Sequence, residues 1–177
     1  MRVILHICCG VCAAGAADVL ISEGHQVTGY FYNSNIYPES EYERRLATAR
    51  ETAKHLDFEI IDGPYDPKTW IAEAAMLKDE PEGGKRCPVC YRFRLIKSYQ
   101  LMLEKGYEAF TSTLTISPHK SAKIINEIGR EIGGDSFMAR DFKKKEGFKK
   151  AMELAKSWEL YRQNYCGCIY SLEGGHR

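Results

Sequence analysis

The run "RVILHI", Arg2 to Ile7, is short, apolar and β-branched, and an alanine-rich segment follows it with no loop between. Such a run reads as a strand buried on both faces, and "CAAGAADVLISEG" reads as a helix stopped at Gly24. The alternation continues. "QVTGYFY" (Gln26 to Tyr32) is a second strand and "NSNIYPES" a loop whose Ser40 caps the next helix. In that helix Tyr42, Leu46, Ala49, Ala53 and Leu56 form one apolar stripe, with a charged, wet face opposite. "FEII" (Phe58 to Ile61) is a third strand, and "PKTWIAEAAMLKD" a helix with Pro67 in its first turn. After the break "EPEGGKR", a long helix covers Arg92 to Lys105 and a strand Ala109 to Thr115. "SAKIINEIGREIG" is a helix, "SFMAR" a short strand, and Lys149 to Tyr161 a last helix. Strands separated by helices of this length imply an α/β fold, a Rossmann-like, mostly parallel sheet with helices on both faces, in one domain over residues 1–177. Ligands of such sheets bind beyond the carboxyl ends of the strands, at a switch in strand order. "CCGVC", at the end of the first strand, lies at that kind of place.

There the chain carries thiols. Its seven cysteines fall in three clusters: Cys8, Cys9 and Cys12; Cys87 and Cys90; Cys166 and Cys168. No basic and apolar leader is visible before the first strand, and no apolar run approaches a membrane span of about 18 residues. The expectation is a cytoplasmic protein without membrane contact, where structural disulfides are rare and an odd thiol count points to metal or redox chemistry. With a net charge of +1, any contact with nucleic acid needs a local basic patch.

"CPVC" has the spacing of two ligands of one zinc, of two corners of an iron–sulfur cluster, or of a thioredoxin-like dithiol. Lys85, Arg86, Arg92 and Arg94 flank it and favour thiolates. Adjacent Cys8 and Cys9 can point to different sides of a turn; with Cys87 and Cys90 they would supply the four thiolates of a [4Fe–4S] cluster. Either could instead be a small buried hydrophobe. Cys166-Gly167-Cys168 closes only a small strained ring on oxidation, and strained disulfides are the reducible kind. The pair could also be metal ligands.

The ordered set "LHICCGVC", "CPVCYRFRL", "TSTLTISPHKS", "ARDFKKKEGF" and "LYRQNYCGCIYS", from Leu5 to Ser171, resembles the QueH-type epoxyqueuosine reductases. Other members often have Ala-Pro where this chain has Gly10 and Val11; all three thiols remain. The resemblance implies a HUP/PP-loop-like fold and the last step of queuosine synthesis on tRNA. That step is reductive removal of the epoxide oxygen of epoxyqueuosine in the anticodon loop, with iron, without cobalamin, and with an external electron donor. It implies Cys8, Cys9, Cys87 and Cys90 as [4Fe–4S] ligands at the carboxyl edge of the sheet, and Cys166 and Cys168 as a redox-active pair. It also allows one additional iron, with Cys12 and Asp141 as candidates to hold or flank it. His119 and Tyr165 are candidate proton donors. Arg140, Lys143, Lys144, Lys145, Lys149 and Lys150, interleaved with Phe142 and Phe148, are a candidate tRNA patch of phosphate-binding cations and stacking rings. Arg44, Arg45 and Arg162 are further candidates; a charge run and a loop carboxylate can equally be solvated surface.

Two rivals remain. A PP-loop tRNA thiolase needs a phosphate-cradling turn after the first strand, but "CCGVCAAG" lacks the serine pair of such a loop. "SPHKS", Ser117 to Ser121, is similar to a phosphate-facing loop but short. A zinc-binding RNA module would be colourless and have no use for Cys166 and Cys168.

Overall fold

In the computed structural model, which describes residues 1–173, four strands form a parallel sheet in the order β3-β2-β1-β4. The strands are β1 (Arg2–His6), β2 (Gln26–Phe31), β3 (Glu59–Asp62) and β4 (Ala109–Ser112). The helices are α1 (Gly10–Ser22), α2 (Glu39–His55), α3 (Pro67–Ala74), α4 (Arg86–Glu104), α5 (Ala122–Gly133), α6 (Gly147–Ser157) and α7 (Ile169–Glu173). β1 pairs with β2 on one side and β4 on the other. Strand order therefore reverses between β1 and β4, and the thiols after β1 open onto that switch point.

Alternation along β1 divides the core in two. Leu5 and Ile7 join Ala13, Ala16, Ala17 and Leu20 of α1 and Ala151 of α6 in one buried cluster. Ile4 joins Leu95 and Met102 of α4, Ile125 and Ile128 of α5, and Phe110 in the other. Small residues let α1 lie close: a Cβ on Gly10 would meet the Thr48 carbonyl oxygen of α2 at 2.7 Å. Both sheet faces are thus covered, as the apolar strands require.

The structure corrects several local expectations. α1 starts at Gly10, with Cys9 rather than a polar residue as its cap. Ser40 lies within α2, which is preceded by Pro38 and has no side-chain cap. The charged side of α2 is not all wet, because Glu41 and Arg45 are buried. α3 ends at Ala74 and runs into a 3-10 turn over Ala75–Leu77. α4 starts at Arg86, so "CPVC" is helical, and Pro88 is tolerated in the first turn, where N–H groups have no helical acceptor. β4 stops at Ser112, and Thr113–Ile116 form a 3-10 turn. "SFMAR" contributes one bridge, Phe137 to Phe110, and the helix placed at Lys149 to Tyr161 runs over Gly147–Ser157.

Candidate redox and metal centre

The end of β1 delivers three sulfurs to one point. The Sγ atoms of Cys8, Cys9 and Cys12 lie within 4.8 Å of one another, those of Cys8 and Cys9 4.0 Å apart. Cys9 caps α1, its sulfur accepting the Cys12 N–H at 3.4 Å. Thr113, after β4, accepts the Cys8 N–H at 3.1 Å and donates its hydroxyl to the Cys8 sulfur at 3.2 Å. Donation from the Cys12 and Cys9 thiols holds Cys8 well below the ordinary thiol range despite burial. Cys12 is pushed up by its bonds to Cys8 and Cys9. For Cys9 the bond to Cys12 is favourable, but the bond to Cys8 and burial outweigh it and raise the thiol to about 12. Cys8 is thus the most readily ionised thiol of the triad.

The mid-chain pair sits on the first turn of α4, three positions apart and so on one face. The Cys87 sulfur accepts the Gly83 N–H at 3.1 Å. Burial raises the Cys90 thiol, opposed by the charge of Arg94. The flanking cations act unequally. Arg86 is buried and donates to the carbonyls of Leu77, Lys78 and Glu80, while Arg92 pairs with Glu131. Arg94 is the flanking cation whose charge opposes the rise at Cys90, and its Nε donates to the Cys90 carbonyl at 3.1 Å. It is 4% exposed and, among the described residues, has no carboxylate within ion-pair distance. Despite burial, its charge is held by the sulfurs of Cys90 and Cys8, by Tyr91 and by Cys166. A buried guanidinium without a carboxylate needs anionic neighbours, and thiolates supply them.

The third cluster is fixed from a distance. Arg45 donates to the Cys166 carbonyl at 3.1 Å and the Tyr165 carbonyl at 3.0 Å, while its Nε is 2.6 Å from Glu41. Gly167, at φ +102, lets the chain reverse between the two cysteines. The Cys166 sulfur accepts the Cys168 N–H at 3.4 Å and lies 3.2 Å from the Ser171 hydroxyl. Donation from the Cys168 thiol, followed by the Ser171 hydroxyl, overcomes burial and brings Cys166 down to about 5. Its bond to Cys166, together with burial, pushes Cys168 up. One member of the pair is a thiolate at neutral pH and the other keeps its proton.

Two cavities meet at Cys166. A narrow void of about 30 Å³ is lined by Trp70, Arg86, Cys87, Cys90, Cys166 and Cys168, among others. A cleft of about 460 Å³ is lined by Cys8, Cys12, Phe148, Met152, Arg162 and Cys166, among others. Asn35, Arg94, His119 and Lys120 border both.

Other expected residues fall elsewhere. Asp141 borders neither cavity and pairs with Lys143, not Arg140. Lys143 is tied inward, its ammonium donating to the carbonyls of Thr115 at 2.8 Å and Lys120 at 3.2 Å. Phe142 is buried and cannot stack on a base; Phe148 is exposed at the cleft. Lys144, Lys145, Lys149 and Lys150 are exposed. Arg140 pairs with Glu23 at 2.6 Å, and Arg44 covers the Tyr161 ring. The Tyr165 hydroxyl is committed to the Tyr37 carbonyl. His6 is unsuited to proton delivery, since burial and then the Arg94 charge lower it to about 4. Arg94, Lys120, Thr113, Trp70 and Ser171 are site residues that motif reading missed or mentioned only as flanking charge. Their signal lies in the fold, not in spacing.

The residues suit an iron–sulfur group. Soft thiolate donors, a compact N-terminal triad and a buried cation coupled to sulfurs of all three cysteine clusters match an anionic cluster better than a lone zinc. No helix of the described residues is long and apolar enough to cross a membrane.

A family model described as epoxyqueuosine reductase QueH matches residues 3–174. The epoxyqueuosine reductase QueH of Streptococcus pyogenes serotype M1 is 34% identical over 96% of this chain and 69% of its own length. That of Thermotoga maritima is 35% identical over 96% and 90%. Among solved structures, a predicted subunit of tRNA methyltransferase from Methanocaldococcus jannaschii superposes with a TM-score of 0.58 at 19% identity, covering 88% of this chain and 74% of its own. NMN synthetase from Francisella tularensis gives 0.54 at 15%, covering 93% and 66%. Those two likenesses concern the fold alone, a parallel sheet with helices on both faces. Thiol clusters, sheet topology and likeness over nearly the whole chain agree: this chain belongs to the epoxyqueuosine reductase QueH family.

Proposed function

We propose that this chain removes the epoxide oxygen from epoxyqueuosine in the anticodon loop of tRNA, leaving the cyclopentene diol. The observation that carries the reading is Cys166, a thiolate beside a protonated partner, bordering both the void with Cys87 and Cys90 and the cleft with Cys8 and Cys12. The reaction consumes two electrons and two protons and releases water. Oxidation of the Cys166 thiolate and the Cys168 thiol to a disulfide yields two electrons and one proton, and the second proton comes from solvent through the cleft, so the step balances. An external donor must then reduce the disulfide.

Cys8, Cys9, Cys87 and Cys90 would hold a [4Fe–4S] cluster, and Cys12 would be a ligand of a further iron. When bound, such a group supplies one-electron transfer and a Lewis-acidic iron. The chain does the rest. Arg94 opposes the burial that raises the Cys90 thiol, and Arg45 and Gly167 hold the dithiol turn at the junction of the cavities. His119 and Lys120 border the cleft where a proton must enter, and Asp141 lies outside it, paired with Lys143. Phe148 and Arg162 at the cleft, with exposed Lys144, Lys145 and Lys149, offer stacking and phosphate contacts to RNA. A tRNA substrate puts the reaction in the cytoplasm.

The test is anaerobic turnover of epoxyqueuosine-containing tRNA with a chemical reductant, without ATP or cobalamin, read as loss of one oxygen from the modified nucleoside. Product under these conditions supports the reading. An absolute need for ATP, or binding without product, contradicts it.

A further inference from the structure

Trp70 lies on α3, 1% exposed, in a buried cluster with Ala74, Cys90 and Cys168. An indole nitrogen can only donate. Yet Trp70 Nε1 is buried with no partner in ordinary hydrogen-bond geometry. Native proteins rarely leave such a group unmatched, so it marks a position where an acceptor is missing or too weak. The proposed ligand sulfur packed in that buried cluster with the indole is that of Cys90. Both side chains border the same narrow void. A neutral thiol is a poor acceptor, whereas a thiolate bound to metal is a good one.

We propose that Trp70 is a positioning residue for the metal centre, its indole N–H donating to the Cys90 sulfur once that sulfur is a metal-bound thiolate. The inference rests on the ligand set proposed above. A bond to a ligand sulfur favours the more negative, reduced state of a cluster, so it raises the midpoint potential. It also steadies the ligand, and loss of such outer contacts weakens metal binding by about 10- to 100-fold.

Two variants separate the N–H from its packing. Trp70→Phe removes the N–H and some volume. Replacement of Trp70 by the benzothiophene analogue of tryptophan keeps the bicyclic shape and removes only the donor. Each is reconstituted anaerobically with iron and sulfide, and its potential is measured by dye-mediated titration beside the native chain. The expected result is a lower midpoint potential in both variants, with iron lost to a chelator roughly ten times faster. An unchanged potential in the benzothiophene variant overturns the inference, even if Trp70→Phe shifts it, because the effect would then be one of volume. Failure of the native chain to take up iron and sulfide would instead overturn the ligand set itself.

Discussion

Arg45 reaches across the sequence to donate to the Cys166 carbonyl at 3.1 Å, while the same guanidinium holds Glu41 at 2.6 Å. A helix residue on the face that looked solvated is therefore the clamp for the dithiol turn. Replacement by methionine strands a buried carboxylate, and breaking a buried pair in this way costs about 3–5 kcal/mol. Arg45→Met should lower denaturant stability by about 3 kcal/mol. The double variant Glu41→Leu, Arg45→Met should recover much of that stability but leave Cys166 misplaced, seen as slow turnover in a well-folded protein.

Cys166 sits near 5 because Cys168 and Ser171 donate to its sulfur. The reduced metal-free chain should thus alkylate at Cys166 at a nearly constant rate from about pH 6 to pH 9, and more slowly only as the pH falls through 5. Ser171→Ala weakens the donation, so the inflection should move to higher pH. Peptide mapping of iodoacetamide adducts against pH checks both outcomes. A rate still climbing steeply between pH 8 and 9 is the behaviour of an ordinary thiol.

The thiol clusters have separable roles. Cys87→Ala should lose bound iron and turnover together. Cys166→Ala should keep the colour of the cluster and lose turnover, since one cysteine cannot supply two electrons by closing a disulfide. Iron content and single-turnover assays read both variants. Wild-type turnover by Cys166→Ala contradicts the two-electron scheme.

Lys143 and its neighbours should behave differently. Lys143 donates to two backbone carbonyls, so Lys143→Ala is expected to cost about 1–2 kcal/mol of stability. Lys144→Ala, Lys145→Ala and Lys149→Ala should leave stability unchanged and weaken tRNA binding. Each lost phosphate contact should flatten the logarithmic salt dependence by about 1. Filter binding across a salt series measures it.

Much of this was readable in advance, for identifiable reasons. β1 showed itself through consecutive Val3, Ile4 and Leu5, and α5 through the segment "SAKIINEIGREIG", within which the helix lies. The turn bearing Cys8, Cys9 and Cys12 followed from where a parallel sheet must bind ligands. The helical setting of "CPVC" was hidden because two glycines and a proline around it mimic a loop. Arg45 and Glu41, four apart on a charged helix, look like a surface pair; their burial comes from the carbonyls of residues 165 and 166, which no local window contains. Arg94 read as one more flanking cation for the same reason. Lys143 and Phe142 read as part of an RNA-facing run, but the chain there turns inward, so neighbours in sequence face opposite ways.

The most direct test is anaerobic purification of the full chain with iron, acid-labile sulfide and zinc measured on one sample. The expected result is brown protein with about four irons and four sulfides per chain, absorbing broadly near about 400 nm and bleached by dithionite. Colourless protein with about one zinc per chain, no sulfide, and full RNA binding after loss of Cys166 and Cys168 would contradict the account.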